Sequence, residues 1–164
     1  MKTEITLVLA TEEDAGKIHD MKYKAFLPLY EKYHDDDTNP AMERIEKVIW
    51  KIKREGNDYY LIYVGEEVVG AICIVQHRNA DGFASDTFKI SPLFVLPEFQ
   101  NRGIGCAAIL KVFEKYPQAR IWTLDTIKQE EGNCYLYEKC GFVRVGVEKT
   151  INEAMTLVDY EKRL

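Results

Sequence analysis

The spacing of apolar residues divides this chain into alternating strand-like and helix-like segments. Ile5 to Leu9 predicts a short first strand. Thr11-Glu12-Glu13-Asp14 follows as a capping-box-like helix start. Ile18, Met21, Ala25, Leu29 and Tyr33 recur at helical spacing. Pro28 should kink or break that helix, because it lacks a backbone donor and crowds the preceding turn. Asp35 to Pro40 is a polar break. Met42, Ile45, Val48, Ile49 and Ile52 then mark one face of a second helix.

The period next changes to that of strands. Tyr59 to Val64 and Val68 to Val75 flank Gly65-Glu66-Glu67 and read as a hairpin. Val68 to Val75 is apolar on both faces, which predicts a central strand. Gln76 to Asp86 reads as a loop and Thr87 to Val95 as the next strand. A glycine-rich turn opens a helix that runs to about Tyr116, and Pro117 ends it. Arg120 to Thr126 is strand-like. A short helix from about Gly132 to Cys140 stops at Gly141, a C-cap position. Val143 to Ile151 and Met155 to Tyr160 close the sheet. The expected fold is a mixed α/β sheet, mostly antiparallel. Its one parallel, splayed pair is Thr87–Val95 with Arg120–Thr126, and about four helices flank it.

Bulk properties narrow the class. The length, 164 residues, suits one domain, taken as 1–164. The net charge of −5 and a pI near 5.3 argue against a nucleic-acid partner. No apolar run approaches the roughly 20 residues that span a bilayer, so no membrane role is expected. Met1-Lys2-Thr3-Glu4 lacks the apolar core of a signal peptide. Cys73, Cys106, Cys134 and Cys140 form no C-x-x-C pair, which fits reduced thiols in a cytoplasmic protein. His19, His34 and His77 are scattered, so no metal is expected.

The most informative stretch is Val95-Leu96-Pro97-Glu98-Phe99-Gln100-Asn101-Arg102-Gly103-Ile104-Gly105. Glycines where a helix begins leave backbone N–H groups uncovered, and the helix dipole adds positive potential there. Such a turn seats phosphate oxygens. A P-loop is excluded because no Lys-Ser/Thr follows the second glycine. Gly103-Ile104-Gly105-Cys106-Ala107-Ala108 matches G-x-G-x-x-A, and Asp125 follows at about the distance of a dinucleotide fingerprint. Against that reading, seven residues including Pro97 separate Val95 from Gly103, and only 39 residues follow Asp125. A purely structural turn explains one glycine more easily than two with a helix behind them.

The wider pattern resembles the GNAT superfamily of N-acetyltransferases. Val95-x-Pro97-x-x-Gln100-x-x-Gly103-x-Gly105 is similar to that family's central motif, and Leu136-Tyr137-Glu138-Lys139-Cys140-Gly141-Phe142 is similar to its later one. The order of elements from Ile5 to Tyr160 is also similar, so the resemblance covers nearly the whole chain. It implies acetyl-CoA as the acyl donor, with Asn101, Arg102, Gly103, Ile104, Gly105 and Cys106 around its pyrophosphate. Gln100 belongs to the same motif. Leu93, Phe94 and Val95 would pair with the pantetheine arm as a further strand would. Pro92, inside an otherwise central strand, marks an edge, a bulge or a place where strands part. Asn133 stands near the start of the later helix and could cap it. In the family an asparagine near this point contacts coenzyme A, often two turns before the tyrosine; here the tyrosine stands only four positions after it.

Acyl transfer to an amine needs a neutral amine, donors for the oxyanion and a proton for the departing thiolate. The resemblance implies that the Tyr137 hydroxyl supplies that proton. Tyr135 reads as packing. The base is open among Asp125, Glu130, Glu131, Glu98 and a water relay. The cysteines read as core residues, which favours direct transfer in a ternary complex over an acyl-enzyme. On the acceptor side, Tyr23, Phe26, Tyr30, Tyr33 and His34 stand beside Glu31 and Asp35-Asp36-Asp37. Aromatics with carboxylates suit a cationic amine, either a small molecule or a peptide. A non-catalytic acyl-CoA sensor on the same fold is the second reading and a dinucleotide-binding oxidoreductase the third. The chain is expected as monomer or homodimer.

Overall fold

The computed structural model describes residues 4–164; residues 1–3, part of the N-terminal segment read above, lie outside them. Seven strands form one sheet: β1 (Thr6–Leu9), β2 (Asn57–Val64), β3 (Glu67–Arg78), β4 (Ala84–Val95), β5 (Ile121–Ile127), β6 (Val143–Thr150) and β7 (Thr156–Arg163). Four helices accompany them: α1 (Ala15–Tyr33), α2 (Ile45–Lys53), α3 (Ile104–Lys115) and α4 (Glu131–Lys139). The strand order is β1-β2-β3-β4-β5-β7-β6, antiparallel throughout except for β4 with β5.

Strand alternation sends successive side chains to opposite faces of the sheet. In β3, Ile72 and Ile74 join the core under α3 and α4, while Ala71 and Cys73 join the core under α1 and α2. Val69 to Ile74 are all buried, as the two-sided apolar run requires of a central strand. A third, smaller cluster of Tyr33, Ile127 and Met155 fixes the end of α1 against the far end of the sheet. Asn152 supports it by donating to the Tyr33 carbonyl at 2.9 Å.

Several boundaries differ from the sequence reading. Helix α1 continues through Pro28 to Tyr33. Its buried residues Ile18, Met21, Ala25 and Tyr33 continue on both sides of the proline, so packing on that face outweighs one lost hydrogen bond. The expected loop from Gln76 to Asp86 is mostly strand, because β3 and β4 extend to Arg78 and back from Ala84. Met42 falls in a 3-10 turn, Pro40–Met42, and α2 begins only at Ile45. Between these, the buried Lys22 ammonium meets Glu43 at 2.6 Å and pins α1 to that turn.

The feature that matters for function lies in β4. From Ile74 to Ile72, β3 advances two residues while β4 advances three, from Ile90 to Leu93. The extra residue is a bulge at Ser91-Pro92, whose peptide bond is cis. On the other side, β4 pairs with β5 only at Thr87, Phe88 and Lys89. Beyond Lys89 the two strands part, and the second half of β4 has a partner on one side alone.

Candidate active site

The parting of β4 and β5 opens a cleft of about 610 Å³. Its walls are the second half of β4, the ends of β5 and β7, the starts of α3 and α4, and the last turns of α1.

The direction of the β4 backbone groups follows from two contacts. The Leu96 N–H donates to the Val69 carbonyl at 2.8 Å, so it points toward β3. The Phe94 carbonyl crowds Gly70, so it also points toward β3. In a trans peptide the C=O and N–H point opposite ways. The Val95 N–H and the Val95 carbonyl therefore both point away from β3, to the open edge. The Gln100 side chain already donates to that carbonyl at 2.9 Å. This ties the glycine turn to the strand that precedes it. Gln100→Ala is expected to weaken coenzyme A binding about threefold to tenfold, the worth of one net hydrogen bond, as read by calorimetric titration.

The turn itself uses its two glycines differently. Gly103 is the N-cap of α3 at φ 78°, a left-handed conformation that suits glycine. Gly105 lies inside the first helical turn, and a Cβ there would come within 3.2 Å of the Leu136 side chain. Its lack of a side chain lets α3 approach α4 closely. Asn101 is also left-handed, at φ 62°. No side chain caps α3, so the first N–H groups remain outward donors until Ala107 bonds back to Gly103. These donors suit pyrophosphate oxygens, and the Val95 edge suits an extended amide chain, so the residues present fit coenzyme A.

Most residues expected at the site line this one cleft: Leu93, Phe94, Val95, Gln100, Asn101, Gly103, Ile104, Gly105, Cys106, Asn133 and Tyr137. Arg102 is not on its wall; its guanidinium lies 5.4 Å from the Phe99 ring centroid. Asn133 does not cap α4. Glu130 is the N-cap residue, and Asn133 sits in the first turn with its N–H donating to the Glu130 carbonyl. The helix starts one residue earlier than glycine and asparagine preferences suggest, so Asn133 is free to face the cleft.

Tyr137 is 9% exposed, with its ring 6.2 Å from Phe142 and 6.1 Å from Tyr160, centroid to centroid. Its hydroxyl has no hydrogen-bond partner among the described residues. Burial, aided by the charge of Asp125, raises its pKa above the usual phenol value. It is therefore a proton-bearing hydroxyl at the wall of a cleft. Tyr135, by contrast, is 68% exposed, so it is a surface residue and not the packed one expected.

Of the acidic candidates, Asp125 and Glu130 line the cleft, while Glu98 and Glu131 do not. Asp125 pairs with Lys89 at 3.3 Å. Burial pushes the Glu130 carboxyl up, but hydrogen bonds from Lys32 at 2.7 Å and Tyr33 at 2.5 Å outweigh it. The net result is a pKa below the ordinary carboxylate value. A carboxyl whose pKa is lowered is a weaker proton acceptor near neutrality than an ordinary one.

The acceptor-side aromatics are mostly elsewhere. Phe26 lines the cleft, edge-on to Phe94 at 5.8 Å. Tyr30 instead bonds to Asp36, and Tyr33 is buried with its hydroxyl on Glu130. Sequence reading missed the opposite wall, made by Ile127, Met155 and Leu157. The only signal for it was the apolar character of the last strand. Among the described residues no helix is long and apolar enough to cross a membrane.

Comparison with known proteins yields consistent relatives. Residues 20–142 match the acetyltransferase (GNAT) family. An uncharacterized N-acetyltransferase of Methanocaldococcus jannaschii is 25% identical over 146 residues, covering 88% of this chain and 63% of that protein. The chain thus spans less than two thirds of that relative. The uncharacterized protein YrkN of Bacillus subtilis is 26% identical over 157 residues, 87% of this chain and 77% of that one. Among solved structures, a PaiA N-acetyltransferase from Thermoplasma acidophilum in complex with coenzyme A superposes with a TM-score of 0.76 at 15% identity, over 98% of this chain and 99% of the other.

Proposed function

This chain belongs to the acetyltransferase (GNAT) family, and we propose that it transfers the acetyl group of acetyl-CoA to a primary amine. One observation carries the reading. A single cleft holds an open strand edge, an uncapped helix start and the hydroxyl of Tyr137, which has no hydrogen-bond partner among the described residues. These match the three parts of the donor molecule in order: the amide-bearing arm, the pyrophosphate and the sulfur.

In this reading the Val95 N–H orients the arm, and the N–H groups from Ile104 to Cys106 hold the diphosphate. The acceptor nitrogen attacks the thioester carbonyl directly, forming the C–N bond as the C–S bond breaks. The Tyr137 hydroxyl gives its proton to the departing sulfur, and the surplus proton on nitrogen leaves through water. Neither Asp125 nor Glu130 is cast as the base: hydrogen bonds from Lys32 and Tyr33 hold the Glu130 pKa below the ordinary value, and Asp125 is engaged by Lys89. Cys134 is buried against the Ile127 and Lys128 carbonyls and the Cys106 sulfur is engaged by the Cys140 thiol at 3.3 Å, so neither is cast as an acyl carrier.

The test is release of free thiol from acetyl-CoA in the presence of a panel of polyamines, aminoglycosides and peptides. Amine-dependent release is the expected result. Coenzyme A binding without turnover on any amine would sink the enzyme reading in favour of a sensor.

A further inference from the structure

The charged residues on the cleft wall are Asp35, Asp125 and Glu130; among the described residues that line it there is no lysine, arginine or histidine. Asp125 and Glu130 have lysines behind them, at Lys89 and Lys32, that do not reach the wall. Asp35 differs. It is 4% exposed, and among the described residues its side-chain oxygens accept from neutral groups, the Thr38 hydroxyl at 2.8 Å and the Asn39 amide at 3.2 Å. A buried carboxylate is ordinarily matched by a cation. Here no matching cation is present among the described residues, and Asp35 lines the cleft. Glu130 adds a second acceptor: both of its donors use Oε2, which leaves Oε1 available. Tyr137, 9% exposed and with its hydroxyl unpartnered among the described residues, lines the same cleft.

The nitrogen that attacks must give up its charge before it reacts. It therefore cannot also be the cation that Asp35 and Glu130 hold. The same wall carries the apolar Leu29, Ile127, Met155 and Leu157. Building on the acetyl-transfer reading above, we infer that the acceptor carries two cationic groups joined by an apolar spacer, one that reacts near Tyr137 and one held by Asp35 and Glu130. A free polyamine and a basic peptide side chain share that chemistry. Asp35 and Glu130 are specificity residues in this scheme and take no proton.

The experiment compares kcat/KM for putrescine and spermidine with that for butylamine, which has the same spacer and one charge. A lysyl-arginine peptide amide forms a separate arm and identifies the source. The wild type should favour the dications by about tenfold or more, the worth of one charge-assisted contact. Asp35→Asn keeps both neighbours bonded, because the Thr38 hydroxyl can turn to accept. It and Glu130→Gln should each pull that preference toward unity while coenzyme A affinity holds, which also reports that the variants fold. A wild type indifferent to the second charge, or variants that both keep the preference, overturns the inference and leaves acetyl transfer standing. If no amine is acetylated, the functional reading fails and spermidine titrations with coenzyme A present decide this one. Binding that weakens in either variant upholds it, and no binding to the wild type overturns it.

Discussion

Tyr137→Phe is expected to lower kcat by about a hundredfold to a thousandfold, within the range for loss of a positioned general acid. The change removes one oxygen and keeps the ring against Phe142 and Tyr160, so the fold and coenzyme A affinity should be retained. The split between kcat and affinity is the informative readout, because a packing role would move stability and binding instead. The pH profile adds a second check. A tyrosine whose pKa is raised by burial keeps its proton as pH rises, so its ionisation cannot cause a loss of rate below about pH 10. Rate should instead climb with pH as the acceptor amine loses its proton, in the wild type and the variant alike. Wild-type turnover in Tyr137→Phe would remove the residue from the chemistry.

How far the site was visible in sequence depends on what fixes each part. The glycine turn and Tyr137 are local features: a φ of 78° at Gly103 and a helix between Glu130 and Gly141 follow from the residues at those positions. The parting of β4 and β5 was legible only as a proline out of place, since Pro92 marks the bulge and the register shift needs both neighbours to define it. Gln100 gave no hint that its side chain would return to the Val95 carbonyl. The acceptor end was hardest. Tyr30 and Tyr33 have the composition of a binding surface, yet one is engaged by Asp36 and the other is buried on Glu130. The Tyr30 partner is only six residues away, but the fate of Tyr33 is set across nearly the whole chain, from the end of α1 to the start of α4 and to the turn near Asn152. Periodicity carries no information about such contacts.

Gly70→Ala should strike both stability and donor binding, although it lies on β3 and outside the cleft wall. A Cβ at this position would sit 2.2 Å from the Phe94 carbonyl oxygen, 3.0 Å from the Val95 Cα and 3.1 Å from the Phe94 carbonyl carbon. All three are backbone atoms of a paired strand, so no side chain can swing aside. The strand must shift outward by roughly 1 Å, and overpacking of that kind costs about 1–3 kcal/mol. The segment that moves carries the Val95 N–H and carbonyl, the groups that face the open edge. A displacement of this size at a positioning element costs up to about a hundredfold in turnover, and coenzyme A affinity should fall with it. Gly16→Ala is the matched control. Gly16 lies in α1 with nothing within 4 Å of a Cβ, so alanine there should stabilise the helix by about 0.5–1 kcal/mol. Denaturant unfolding read beside coenzyme A titration separates the two variants. If Gly70→Ala unfolded at the wild-type midpoint with wild-type affinity, close β3–β4 contact could not be what holds the open edge in place.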